Sequence, residues 1–184
     1  MRARLASGNP HKLDELRAAL PGWELALLET SEPYPPEDGD TYVANARGKA
    51  LFGRAHAPAG EWVLGEDSGI EVDALGGAPG VLSARYGGNE LLLREVGEAA
   101  DRGARYRCTI VAAGPGGEEV VVEGVLEGSI AHEESGDEGF GYDPVFVPEG
   151  ETRTVAELGN AWKREQSHRA RAAAALCAEF ATQS

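Results

Sequence analysis

Apolar positions along the chain switch between a period near 3.6 residues, the mark of an amphipathic helix, and short alternating or continuous runs that mark strands. Leu5-Ala6-Ser7 closes a short apolar entry, Gly8-Asn9-Pro10 punctuates it, and Leu13, Leu16 and Leu20 then fall at helical spacing. The pattern predicts strand, turn and a helix over 11–20, stopped by Pro21-Gly22. Residues 23–28 read as a second strand, and 29–40, with Pro33, Pro35 and Pro36 and no periodicity, as a loop. Residues 41–56 predict a helix capped by Asp40 or Thr41. Residues 61–65 predict a buried strand that delivers Glu66, Asp67 and Ser68 into a glycine-rich turn.

A second amphipathic helix is expected over 90–100. The runs 104–113 and 118–126 flank Gly114-Pro115-Gly116-Gly117 and predict a β-hairpin with a four-residue turn. Residues 128–132 add a strand, 135–143 a glycine-rich loop, 145–147 a brief strand, and the alanine-rich 167–180 a helix capped by Ser167. No repeat, low-complexity tract or linker divides the sequence, so residues 1–184 read as one domain. An α/β start followed by an antiparallel insertion gives the α/β class, with a mixed β-sheet flanked by helices.

Composition narrows the function. At 184 residues the chain can bury a core without disulfide staples, and Cys108 and Cys177 have neither zinc-site nor redox spacing. Reduced thiols and the absence of a signal-like or membrane-length apolar stretch predict a soluble, unexported, cytoplasmic protein. A net charge of −14 argues against a polynucleotide partner, since such binding neutralises many phosphates. An anionic small substrate would need a divalent cation and local basic groups. Of 17 basic residues only Lys12, Lys49 and Lys163 are lysines, the compact point charges suited to phosphate oxygens.

Three segments carry candidate chemistry. The Glu66-Asp67 pair at a strand exit offers hard oxygen ligands for Mg2+ or, equally, a general base. Ser7-Gly8-Asn9-Pro10-His11-Lys12 lies where a strand hands over to a helix, so backbone N–H groups and the positive helix end suit a phosphate. Gly139-Phe140-Gly141-Tyr142-Asp143-Pro144 sets an aromatic ring between glycines, a geometry that admits a flat ligand such as a nucleobase. Beyond them, Ser167-His168-Arg169 presents side-chain donors at a helix start, with Lys163 shortly before. Walker, dinucleotide-binding, nucleophile-elbow and HExxH patterns do not occur.

Taken in order, S-G-N-x-x-K at 7–12, N-A-x-x-K-A at 45–50, E-D-S-G-I-x-V-D-A-L-G-G-A-P-G-V-x-S-A-R-Y at 66–86, G-F-G-Y-D-P at 139–144 and S-H-R at 167–169 span nearly the whole chain. Together they resemble the inosine triphosphate pyrophosphatase family. The resemblance implies an elongated mixed α/β fold of two lobes around a central substrate cleft, usually a homodimer. It implies Mg2+-dependent hydrolysis of the non-standard purine nucleotides ITP, dITP and XTP to monophosphate and diphosphate. Carried onto this chain, Ser7, Asn9 and Lys12 would hold the triphosphate, with Gly8, Pro10 and His11 completing that turn. Asp67 would be proton acceptor and metal ligand beside Ser68. Phe140 would stack on the base with Gly141, Tyr142 and Asp143 completing the wall, and Lys163, His168 and Arg169 would contact the base and adjoining nucleotide.

The sequence departs from the family pattern at Pro36, where a commonly cited metal ligand would align, and at Ala44, where a Glu usually precedes Asn-Ala. Glu37 is therefore the second expected metal ligand, with Glu66 as its substitute. Rival readings are a pyrophosphatase of pyrimidine nucleotides, a nucleotide-binding regulator without catalysis, and a purely structural role.

Overall fold

The computed structural model describes residues 1–182, and among these the chain forms six strands and five helices. In order they are β1 (Arg2–Leu5), α1 (Pro10–Ala19), β2 (Glu24–Leu27), α2 (Tyr42–His56), β3 (Trp62–Val72), α3 (Gly88–Val96), β4 (Gly103–Ala113), β5 (Glu119–Ile130), β6 (Phe146–Pro148), α4 (Val155–Gln166) and α5 (His168–Thr182). Short 3-10 turns at Asp73–Leu75 and Gly80–Arg85 follow β3. The strands form one sheet in the order β2-β1-β3-β4-β5-β6. β1 runs parallel to both β2 and β3, whereas β5 and β6 pair antiparallel, which is the expected mixed sheet.

The local causes are legible in the helix ends. Asn9 caps α1 by accepting the His11 N–H, and Pro10 occupies a first-turn position where its missing N–H is not needed. Thr41 caps α2 by accepting from Ala44 N. Thr154 and Glu157 form a reciprocal capping box on α4.

The chain divides into two compact units, neither a continuous stretch: residues 1–67, 108–124 and 169–184 in the first, 68–107 and 125–168 in the second. The core of the first unit gathers Leu5, Leu13, Leu16, Leu64, Ile110 and Leu176. That of the second gathers Ile70, Val72, Leu92, Tyr106, Leu126 and Phe146. Among the described residues no helix is long and apolar enough to cross a membrane.

Three expectations are corrected. β3 does not end at residue 65 but continues to Val72, so Glu66, Asp67 and Ser68 lie within a strand rather than a turn. Gly65 there serves close packing, not chain reversal. β5 is one strand where two shorter ones were expected. α4 was missed because Gly159, with φ 86°, breaks its helical period.

Candidate active site

Parallel strands collect functional groups at their carboxyl ends. Here β1 and β3 are in register through Leu5 and Leu64, and Ala6 N donates to Leu64 O at 2.8 Å. The turn that leaves β1 at Ser7 and the acidic pair that follows Leu64 therefore share one end of the first unit. Helix α2 is drawn onto β3 by Gly65, where a Cβ would stand 2.0 Å from Ala46 O and 2.6 Å from Ala50 N. This close approach lays the buried side chains of Asn45 and Lys49 against Asp67.

The resulting cluster is polar and almost dry. Lys49 Nζ reaches Asp67 Oδ1 at 3.2 Å and the Glu66 carbonyl at 2.9 Å, and it also pairs with Glu37. Asn45 Nδ2 donates to Asp67 Oδ2 at 3.0 Å, while its Oδ1 accepts the Gly39 amide at 2.9 Å and so pins the loop carrying Glu37. Burial pushes the Asp67 carboxyl above its ordinary pKa, and attraction to Lys49 and the Asn45 hydrogen bond only partly offset it. Burial pulls Lys49 down, yet Asp67, Glu37 and Glu66 outweigh it and hold the ammonium above its usual value.

Beside this cluster lies a second one. Glu66 is fully buried, and its two oxygens are divided between cations: Oε2 lies 2.6 Å from Lys12 Nζ, and Oε1 accepts from Arg169 Nη2 at 3.0 Å and Nε at 3.2 Å. Cys108 Sγ donates to the same Oε1 at 3.3 Å, and Arg169 also pairs with Glu15. Burial alone would raise the Glu66 carboxyl, but Lys12, Arg169 and Lys49 hold it well below the usual range. With both oxygens engaged, Glu66 is poorly placed to substitute as a metal ligand.

Glu37 and Asp67 are different, because both point at one ammonium and so already share a cation position. Among the described residues no group of three or more His, Cys, Asp or Glu could hold a metal. Two carboxylates with remaining positions left to water and substrate phosphates match the habit of Mg2+.

The second unit assembles Phe140, Asp143, Lys163 and His168. Asp143 Oδ2 accepts from Lys163 Nζ at 2.6 Å and from Phe140 N at 2.8 Å. Gly139, at φ 80°, is needed here, since a Cβ would meet Asp143 Oδ2 at 2.2 Å. Lys163 Nζ stands 3.8 Å over the Phe140 ring, a cation–π contact. Tyr142 turns inward instead, and its buried hydroxyl donates to Ser83 O at 2.8 Å. Gly141 is exposed, and Ser68 is half-buried on β3.

Of the phosphate turn, Ser7 Oγ accepts the Asn9 amide at 3.1 Å, Asn9 Oδ1 accepts the His11 amide at 3.0 Å, and Gly8, Pro10 and His11 are exposed. Arg169 lies in the first unit with the Glu66 cluster, while His168 closes the second. Every lysine in the sequence thus sits on a buried or half-buried carboxylate: Lys12 on Glu66, Lys49 on Asp67 and Glu37, Lys163 on Asp143. Sequence reasoning quoted Asn45 and Lys49 in the 45–50 motif, and Lys49 among the scarce lysines, without placing either in the site, and it passed over Glu15 and Tyr106. A signal existed for the first two, which occupy i and i+4 on the same helix face as the small residues Ala46, Ala50 and Gly53.

Known proteins resemble this chain over nearly its whole length. A sequence model of the Ham1 family matches residues 3–179. The dITP/XTP pyrophosphatase of Opitutus terrae is 43% identical, covering 96% of this chain and 97% of that protein. The one from Gloeobacter violaceus is 45% identical over 91% of this chain and 88% of its own. Among solved structures, the Staphylococcus aureus Ham1 protein superposes with a TM-score of 0.87 at 32% identity, both chains covered fully. A nucleoside-triphosphatase / dITP/XTP pyrophosphatase from Mycobacterium abscessus gives 0.75 at 44% identity, covering 96% of this chain and 98% of that one.

Proposed function

The chain belongs to the Ham1 family, and we propose that it is a nucleoside triphosphate pyrophosphatase that hydrolyses the non-standard purine nucleotides ITP, dITP and XTP to monophosphate and diphosphate. The observation that carries this reading is the pairing of each scarce lysine with a buried or half-buried acid inside the blocks that resemble the family. Such ion pairs are costly to build, and here they hold three ammonium groups in fixed positions where phosphate and base could be met.

Asp67, Lys12 and their neighbours serve the phosphates. Water attacks the α-phosphorus and gives its proton to Asp67; the new P–O bond forms as the bond to the α–β bridging oxygen breaks, and that electron pair leaves with diphosphate. A raised carboxyl pKa makes Asp67 a better proton acceptor than an ordinary aspartate. Lys49 and Asn45 hold its two oxygens in place, and Lys12 with Ser7 and Asn9 receives the triphosphate. Mg2+ held by Asp67 and Glu37 would neutralise phosphate charge and polarise the phosphoryl oxygens.

Phe140 and His168 serve the base. Phe140 stacks on it, and His168 donates toward a 6-oxo group, a donor left unpaired by the amino group of adenine. We further infer a cytoplasmic protein, consistent with Cys108 and Cys177 being free, and, on the family resemblance alone, a homodimer.

The test is diphosphate release from ITP, XTP, GTP, ATP and dTTP with and without Mg2+, with Asp67→Asn controlling for contaminating activity. Mg2+-dependent release from ITP and XTP, lost in the variant, is expected. Release chiefly from dTTP, or binding without release, would overturn the reading.

A further inference from the structure

Two of the residues given to the nucleotide base, Asp143 and His168, converge on a tyrosine that no motif singled out. Tyr106, on β4, is buried in the core of the second unit. Its ring lies nearly parallel to the His168 imidazole, at an interplanar angle of 11° with centroids 4.6 Å apart. Fully buried Phe146 packs against the same ring at 4.6 Å and 51°. The Tyr106 hydroxyl donates to Asp143 Oδ1 at 3.2 Å, on the carboxylate whose other oxygen takes Lys163 and the Phe140 amide.

The torsion that sets an imidazole plane has a broad minimum, so packing must fix it. An imidazole hydrogen-bonds through its ring edge, and a donor tilted out of the purine plane meets an acceptor poorly. A ring stacked on Tyr106, itself braced by Phe146, therefore has its donor direction set from the core outward. The hydroxyl does the same for the carboxylate that holds Lys163 and the Phe140 loop.

We propose that Tyr106 is the positioning residue for base selection: by stacking it fixes the plane of His168, and through its hydroxyl it fixes the Asp143–Lys163 pair, so that it sets the preference for 6-oxo over 6-amino purines. The proposal rests on the functional reading above.

Its test is kcat/KM for ITP and for ATP with Mg2+, in the wild type, Tyr106→Leu, Tyr106→Phe and Leu92→Ala. The last is a control in the same core cluster, outside the site. Tyr106→Leu is expected to lower the ITP-over-ATP ratio roughly tenfold, chiefly through KM for ITP, and Leu92→Ala to leave it unchanged. Tyr106→Phe keeps the stack and loses the hydroxyl, so its ratio should fall only about threefold. By NMR the His168 Cε1 proton should carry an upfield ring-current shift in the wild type and the Phe variant, absent in the Leu variant. An unchanged ratio in Tyr106→Leu, or an equal fall in Leu92→Ala, overturns the proposal. Should the Leu variant fail to fold, an unchanged ratio in Tyr106→Phe does so. A wild type inactive on ITP and XTP overturns the functional reading and this proposal with it. A wild type active on them but indifferent to Tyr106 overturns only the positioning role.

Discussion

Replacing Glu66 with Gln would test how far the buried ion cluster supports the fold. The substitution is nearly isosteric, so it changes charge without leaving a cavity. Glu66 is 0% exposed, and its oxygens serve Lys12 at 2.6 Å and Arg169 at 3.0 and 3.2 Å. A glutamine that keeps its oxygen toward Arg169 turns its NH2 toward the Lys12 ammonium, donor against donor. Breaking a buried pair by removing one partner costs about 3–5 kcal/mol. The lower end applies here, because Arg169 keeps Glu15 and the Lys12 side chain, 16% exposed, can turn to water. A loss of about 3 kcal/mol corresponds to a fall in Tm of roughly 6–12 °C for a chain of this length. Urea unfolding followed by tryptophan fluorescence, to which Trp23 and Trp62 on the same core contribute, measures it. The pH dependence supplies a second check. The folded pKa of Glu66 is depressed, so its stabilisation is fully present above the unfolded value near ~4.3 and is lost as pH falls through the folded value. The gap between wild type and variant should therefore close in acid. A deficit below about 1 kcal/mol at neutral pH, or one that persists undiminished below the ordinary carboxylate range, would refute the argument.

Lys49→Met removes the ammonium that Glu37 and Asp67 share, so calorimetric titration should show Mg2+ binding about tenfold tighter while turnover falls; unchanged or weaker binding would remove these carboxylates as a common cation site. Gly65→Ala places a methyl 2.0 Å from Ala46 O, which α2 can relieve only by moving off β3, so a loss of about 3 kcal/mol or more is expected on thermal unfolding; a near-neutral result would contradict the packing. Because burial raises the Asp67 carboxyl, its titration followed by carboxyl-carbon NMR in the metal-free protein should centre above the ordinary aspartate value of about 3.9. A midpoint at or below that value would contradict the desolvation of this carboxylate.

Much of the fold was legible because its signals are local. Leu13, Leu16 and Leu20 set the period of α1, Asn9 and Pro10 its start, and Gly114–Gly117 the turn between β4 and β5. The turn at 7–12, Asp67 and the Phe140 loop could be singled out as candidates for the same reason: their residue types are carried by neighbours in sequence. What escaped depended on distant partners. Glu66-Asp67-Ser68 reads as a turn because glycines flank it, yet the strand continues, since Gly65 is the contact that admits α2 and backbone packing is invisible to residue propensity. Lys163 could be singled out by scarcity, but its carboxylate partner lies twenty residues upstream and its helix is interrupted at Gly159. The sequence by itself determined most of the elements, the mixed sheet and the residue types from which phosphate and base chemistry is proposed. Only the tertiary structure decided which lysine faces which acid, that Glu66 is spent on Lys12 and Arg169, and that Tyr106 stands beneath His168, because electrostatic pairing and ring stacking are short-ranged in space while their partners are remote along the chain.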